Sequence, residues 1–179
     1  DYLSGKIIRN DVPEEIFEVR KQYLENWSKH LDSKDKPISP YRVISEFMKN
    51  IDPKDSIVTH DAGSPRYQIM PFYQSDTPRS YLGWGKSHQL GTGLGFAIGA
   101  KLAAPDKFCV NFMGDAAFGM TGLDFETAVR TKLPITTIVL KNSTMAIETN
   151  HMKISHEKFK ARDLDCLLYT SDAADEEDS

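Results

Sequence analysis

The sequence predicts an α/β layer, a doubly wound parallel sheet with helices on both faces. Three observations predict it. Phe108-Cys109-Val110-Asn111-Phe112-Met113 and Ile135-Thr136-Thr137-Ile138-Val139-Leu140 are nearly continuous apolar or β-branched runs, as strands covered on both faces should be. Strand-like and helix-like segments alternate through the middle of the chain, the pattern of crossover units in a parallel sheet. Short polar pairs, Gly114-Asp115 and Lys141-Asn142, follow the two runs directly. In such sheets ligands sit outside the carboxyl ends of the strands.

Residues 1–13 read as a connecting strap. From Pro13, the residues Ile16, Phe17, Val19, Tyr23, Leu24 and Trp27 recur at roughly helical spacing, and Glu14 and Glu15 suit a first turn. This helix should end near Leu31, before the polar linker Ser33-Lys34-Asp35-Lys36-Pro37. Ser39 is placed to cap a second helix with Pro40 at its first position. Val43, Ile44, Phe47, Met48 and Ile51 form its apolar face, and Pro53 stops it. Ile57-Val58-Thr59-His60 is a short β-rich run ending in Asp61-Ala62-Gly63. A third helix is expected around Pro65–Tyr73 and a short strand at Ser80-Tyr81-Leu82. Gly91 to Leu102 reads as a helix whose small residues permit close packing, despite the cost of each glycine. A single helix is expected from Gly114-Asp115 through about Thr131, between the two apolar runs.

A chain of 179 residues with 40% hydrophobic and 27% charged residues has room for one domain with a real core. No run is long and apolar enough to span a bilayer. The opening residues have neither an initiator Met nor a signal-peptide shape, so the sequence is expected to start mid-protein. At the other end, Cys166-Leu167-Leu168-Tyr169-Thr170-Ser171-Asp172-Ala173-Ala174-Asp175-Glu176 resembles the translation of a transposase-type sequencing adapter. Residues 166–179 are therefore expected to be a non-native tail, with an ordinary acidic terminus as the alternative. Without them the formal charge moves from −4 to +1. A near-neutral chain gives no reason to expect nucleic acid or an anionic membrane as partner. Cys109 then remains as a lone cysteine in an apolar run, which fits a reducing compartment and a cytoplasmic location, and rules out a disulfide framework or zinc spacing.

The chemistry lies at the two strand ends. Asp115 and Asn142 are separated by one helix and one strand, which brings the ends of neighbouring parallel strands together. A carboxylate, an amide oxygen and a nearby backbone carbonyl supply three hard oxygen ligands. Phosphates and water would complete the octahedral shell that magnesium requires. The helix beginning near Ala116 would turn free N–H groups toward the same anion. By itself an Asp after a buried strand is more often a helix cap than a metal ligand. The glycines of Gly91–Gly99 do not form the strict G-x-G-x-x-G pattern of a dinucleotide site, and no strong apolar strand leads into them. His151 and His156 have no acidic or cysteine partner at useful spacing. Trp27, Trp84, Phe72 and Tyr73 read as packing residues.

Gly114-Asp115-Ala116-Ala117-Phe118, with Leu140-Lys141-Asn142 after the next strand, resembles the cofactor motif of the thiamine-diphosphate enzymes, usually Gly-Asp-Gly and Asn-Asn. The resemblance extends over most of residues 38–165. His60-Asp61-Ala62-Gly63, Phe72-Tyr73, Pro78-Arg79-Ser80, Gly91-Thr92-Gly93-Leu94-Gly95 and Ile98-Gly99-Ala100-Lys101 fall where acetolactate-synthase-like members have similar segments. It implies residues 1–37 as strap, helix and linker, and 38–165 as a domain for thiamine diphosphate and magnesium, incomplete at its C-terminus.

The resemblance implies roles residue by residue. Asp115 and Asn142 would bind magnesium by side chain and Thr144 by its carbonyl. Backbone at Gly114, Ala116 and Ala117 would hold the diphosphate, helped by Ala62, Gly63 and Ser64. Leu90 matches the bulky apolar residue that bends the cofactor, and the His88 carbonyl would accept from its aminopyrimidine. Glu148 falls where some 2-keto-acid decarboxylases have an active-site glutamate, with a solvated glutamate as the equal alternative. The sequence departs from the family pattern at several positions. Ala116 replaces the middle glycine, Ala117 a common serine, and Lys141 the first asparagine. Pro65 has no N–H to give a phosphate, and Arg66 beside it would have to supply the charge. The activity implied is that of a 2-keto-acid decarboxylase or carboligase, acting as a homo-oligomer with a pyrimidine-binding domain absent from this sequence. The alternative is a noncatalytic diphosphate-binding domain.

Overall fold

The computed structural model describes residues 12–85 and 89–143. The helices α1 (Val12–Leu31) and α2 (Pro40–Lys49) precede β1 (Ser56–His60), α3 (Ser64–Ile69) and β2 (Tyr81–Leu82). Then come α4 (Thr92–Ala103), β3 (Phe108–Gly114), α5 (Asp115–Thr121), a 3-10 turn (Gly122–Asp124), α6 (Phe125–Arg130) and β4 (Ile135–Leu140). The four strands form one parallel sheet in the order β2-β1-β3-β4.

The expected doubly wound architecture is present, because alternate side chains of each strand enter different cores. Val58, Val110 and Phe112 pack with Ile44, Ile69, Phe72 and Tyr73 beneath α1, α2 and α3. Met113 and Val139 face the other way, onto Leu94, Ala117, Phe118 and Phe125 of α4, α5 and α6. Thr59 and Asn111, paired across β1 and β3, also face α4. The Thr59 hydroxyl lies 3.0 Å from both the Gly93 carbonyl and Asn111 Oδ1. Gly93 is required here: a Cβ on it would lie within 3.0 Å of the backbone of His60 and Asp61. Its backbone presses directly onto the end of β1.

Several element boundaries differ from those expected. Ser39 precedes α2 with Pro40 in the first turn, but its hydroxyl makes no capping bond. The third helix stops at Ile69 rather than Tyr73. The helix expected through Thr131 is broken after Thr121. There the Thr121 hydroxyl bonds back to the Ala117 carbonyl, which bends helices, and the Phe118 ring covers Gly122. In α1 Leu24, Trp27 and Leu31 pack on the core and Tyr23 meets the Phe72 ring, while Ile16, Phe17 and Val19 are more than 60% exposed. Gly95 and Gly99 in α4 meet no atom within 4 Å of a built Cβ, so close packing explains Gly93 but not these two.

Candidate functional site

The chain leaves β1 toward β2 on one side and leaves β3 toward β4 on the other, although β1 and β3 are neighbours. The carboxyl ends of β1 and β3 are therefore the topological switch point, where open parallel sheets bind ligands. Asp61 follows one of these strands and Asp115 the other.

Asp115 opens α5 and is only 1% exposed. Its Oδ1 accepts from the Ala116 N–H at 3.0 Å. Its Oδ2 accepts from the Asn142 N–H at 3.2 Å and the Ser143 N–H at 2.6 Å, across the gap to the end of β4. Ser143 has φ +56, and this left-handed turn brings both N–H groups to the same carboxylate oxygen. The ends of β3 and β4 are thus brought together as the spacing predicted, with Asn142 meeting Asp115 through its backbone N–H. Among the described residues no cationic side chain reaches Asp115, and no group of three His, Cys, Asp or Glu gathers. A buried carboxylate that among the described residues meets N–H groups suits a divalent cation, since buried charges are paired or coordinate metal.

The glycines beside it are not crowded. A Cβ on Gly114 would have Pro65 Cγ, at 3.9 Å, as its nearest neighbour, and one on Gly63 would have Leu90 Cδ2 and Pro65 Cδ at 3.9 Å. The loop Ala62-Gly63-Ser64, Leu90 and Gly114 therefore border one another. Gly63, at φ +86, makes the turn into α3, a conformation that favours glycine. Ala116 lies in the first turn of α5 with ordinary helical backbone, so the position does not need glycine. The methyl of Ala117 is buried against Leu94 and Met113. A serine hydroxyl there would face the apolar core. Arg66 lies over the ring of Tyr67 at 5.3 Å. His88, Thr144, Glu148, His151 and His156 lie outside the described residues.

The chain's match to known proteins decides the family. The model of the thiamine pyrophosphate enzyme C-terminal, cofactor-binding domain matches residues 61–171, more than half of the chain. The chain belongs to this family. The family's cofactor is thiamine diphosphate, with magnesium as its usual partner ion. A probable acetolactate synthase large subunit of Methanocaldococcus jannaschii is 30% identical over 139 residues, 75% of this chain and 23% of that protein. A sulfoacetaldehyde acetyltransferase of Alcaligenes xylosoxydans xylosoxydans is 31% identical over 129 residues, 72% of this chain and 21% of its own length. The 2-hydroxyacyl-CoA lyase 1 of Dictyostelium discoideum reaches 44% over 66 residues, 37% of this chain and 11% of the relative. The chain spans about a fifth of the length of the acetolactate synthase relatives it matches.

Asp61 was not among the residues singled out by sequence. It is fully buried, and its carboxylate accepts from the N–H groups of Ala62, Gly91 and Gly93 at 2.8–3.0 Å. Burial pushes its carboxyl above the ordinary aspartate value, opposed by these donors and by His60. The signal was present: like Asp115, it is an Asp directly after a strand-like run. A groove between α1 and Pro71, lined by Val12, Ile16, Val19 and Tyr23, contains none of the predicted site residues.

Proposed function

We propose that this domain holds the diphosphate of thiamine diphosphate through magnesium at the switch point, as the cofactor-binding part of a 2-keto-acid decarboxylase or carboligase of acetolactate synthase type. The single observation that supports this most is the Asp115 carboxylate: buried, at the end of β3, joined to Asn142, and reached by no cation among the described residues. Asp115 and the Asn142 side chain would hold the metal, with Thr144 contributing its carbonyl. The backbone of Gly114–Ala117 and the loop Ala62–Ser64 would cradle the phosphates. Leu90, beside Gly63, would support the bend of the cofactor. When bound, the cofactor supplies the carbanion chemistry that the protein orients.

Glu148, as an acid or base, and His88, as a backbone acceptor, complete the assignment. The reaction also needs a pyrimidine-binding domain with its own glutamate, from the same or a partner subunit of a homo-oligomer. The substrate class is a 2-keto acid. The chain of 179 residues is accordingly expected to bind cofactor and to leave pyruvate unchanged; decarboxylation by the purified chain would contradict this. Calorimetric titration with thiamine diphosphate, with and without magnesium, tests the central reading. Binding that requires magnesium and is lost in Asp115→Asn is the expected result. Metal-independent binding, or binding indifferent to the substitution, would overturn it.

A further inference from the structure

Three segments that the reading above assigns to the cofactor meet at one backbone position, Gly91. Gly91 directly follows Leu90. Its N–H donates to both oxygens of Asp61, at 2.9 and 3.0 Å, from the loop that continues as Ala62–Ser64. Its carbonyl lies 3.4 Å from the Thr121 hydroxyl, whose proton it shares with the Ala117 carbonyl, at the far end of the helix that Asp115 opens. Gly91 sits at φ +96, and a Cβ there would overlap the Thr121 side chain. Asp61 Oδ2 also takes the Gly93 N–H, so the first turn of α4 is bound to the end of β1. The Asp61 N–H in turn donates to the Phe112 carbonyl of β3 at 2.8 Å.

We propose that Asp61, with Thr121, is a positioning residue for Leu90: it fixes that side chain against Gly63 and thereby governs recognition of the thiamine half of the cofactor, separately from the diphosphate half. Asp61 is fully buried, with its carboxylate oxygens taken by backbone N–H groups. Its effect passes through Gly91, which has little freedom between the Asp61 carboxylate and the Thr121 methyl. The inference rests on the thiamine-diphosphate reading. It adds that a buried carboxylate outside the metal set determines discrimination between the cofactor and a bare diphosphate.

The substitution Asp61→Asn separates these roles. An asparagine oxygen can keep the bonds from Ala62 and Gly91, while its amide group opposes the Gly93 N–H. The experiment titrates the 179-residue chain, in magnesium, with thiamine diphosphate and with inorganic pyrophosphate. Wild type is expected to prefer thiamine diphosphate. Asp61→Asn should reduce that preference roughly tenfold, the scale of a lost supporting contact, with pyrophosphate affinity changed less than about twofold. Hydrogen exchange at Gly91 and Gly93 should quicken in the same variant. Thr121→Ala, at a half-buried position, should shift the preference in the same direction and carries the test if Asp61→Asn does not fold. An equal loss for both ligands, or an unchanged preference in folded variants, would overturn the inference and leave the cofactor reading intact. So would a wild type that binds pyrophosphate as tightly as thiamine diphosphate. A wild type that binds neither would overturn both.

Discussion

The Asp115 carboxylate reaches the Ser143 N–H at 2.6 Å, so the candidate metal ligand also closes the gap between the ends of β3 and β4. Removing it does two things at once. Asp115→Ala leaves the N–H groups of Asn142 and Ser143 without their acceptor, at a cost of about 1–3 kcal/mol. Asp115→Asn can keep an oxygen toward Asn142 and Ser143 by turning its amide group to the Ala116 N–H, and should lose less than the alanine variant, about 1 kcal/mol. Urea denaturation of both variants without ligand measures the difference. Equal losses would mean that these bonds contribute nothing to the fold. The magnesium-dependent titration is therefore best interpreted with the asparagine variant.

The glycines of the 91–99 segment should divide sharply. Gly91→Ala places a methyl in a left-handed backbone and against Thr121, and should destabilise the chain by about 1–3 kcal/mol from the backbone alone. Gly95→Ala adds its methyl to open space on an exposed part of α4 and should stabilise by about 0.5–1 kcal/mol. Paired thermal melts decide it. A neutral Gly91→Ala would show that the junction at Thr121 is loose.

This contrast also shows how far the sequence could be read. The parallel sheet was legible because β3 is buried on both faces and the half-buried β4 still sends side chains to both cores, and a short uninterrupted apolar run between turn residues suits such a strand better than a helix. The meeting of Asp115 with Asn142 was legible because a strand–helix–strand crossover carries consecutive strand ends to one side. The break at Thr121 was not: it depends on the Thr121 hydroxyl bonding to Ala117 and Gly91, thirty residues apart in the second case. Asp61 was missed for the same reason, since its partners Gly91 and Gly93 come from the next crossover. The apolar spacing of α1 identified the helix, but periodicity says nothing of what covers a face. Ile16, Phe17 and Val19 show that directly.

Phe72 should be the side chain on which attachment of α1 depends. It is 1% exposed and meets Tyr23, Trp27 and Tyr41 at ring separations of 5.5–5.7 Å. Its carbonyl also accepts from Arg20 at 2.7 Å. Phe72→Ala should cost about 3–5 kcal/mol, and Phe72→Leu less than about 1.5 kcal/mol by preserving most of the volume. Trp27 fluorescence followed in urea reports both. A Phe72→Ala loss below about 1 kcal/mol would mean that α1 is held mainly by other contacts.

Alkaline pH should unfold the chain before it labels Cys109. The thiol is fully buried, and burial pushes its pKa above the ordinary value of 9.0, with Lys101 opposing. Burial raises the Tyr73 and Tyr81 hydroxyls in the same direction. All three groups are neutral when protonated, so above their unfolded-state values the native state retains more protons than the unfolded state. Stability then falls as pH rises. The contribution is complete well below pH 9.0, the ordinary thiol value, and is lost progressively as pH climbs through the raised native values. In a Cys166→Ser variant, which leaves Cys109 as the sole thiol, labelling by a thiol reagent should follow the unfolded fraction measured by circular dichroism. Rapid labelling of folded protein at pH 9 would show that Cys109 is reached without unfolding and that burial does not govern its reactivity.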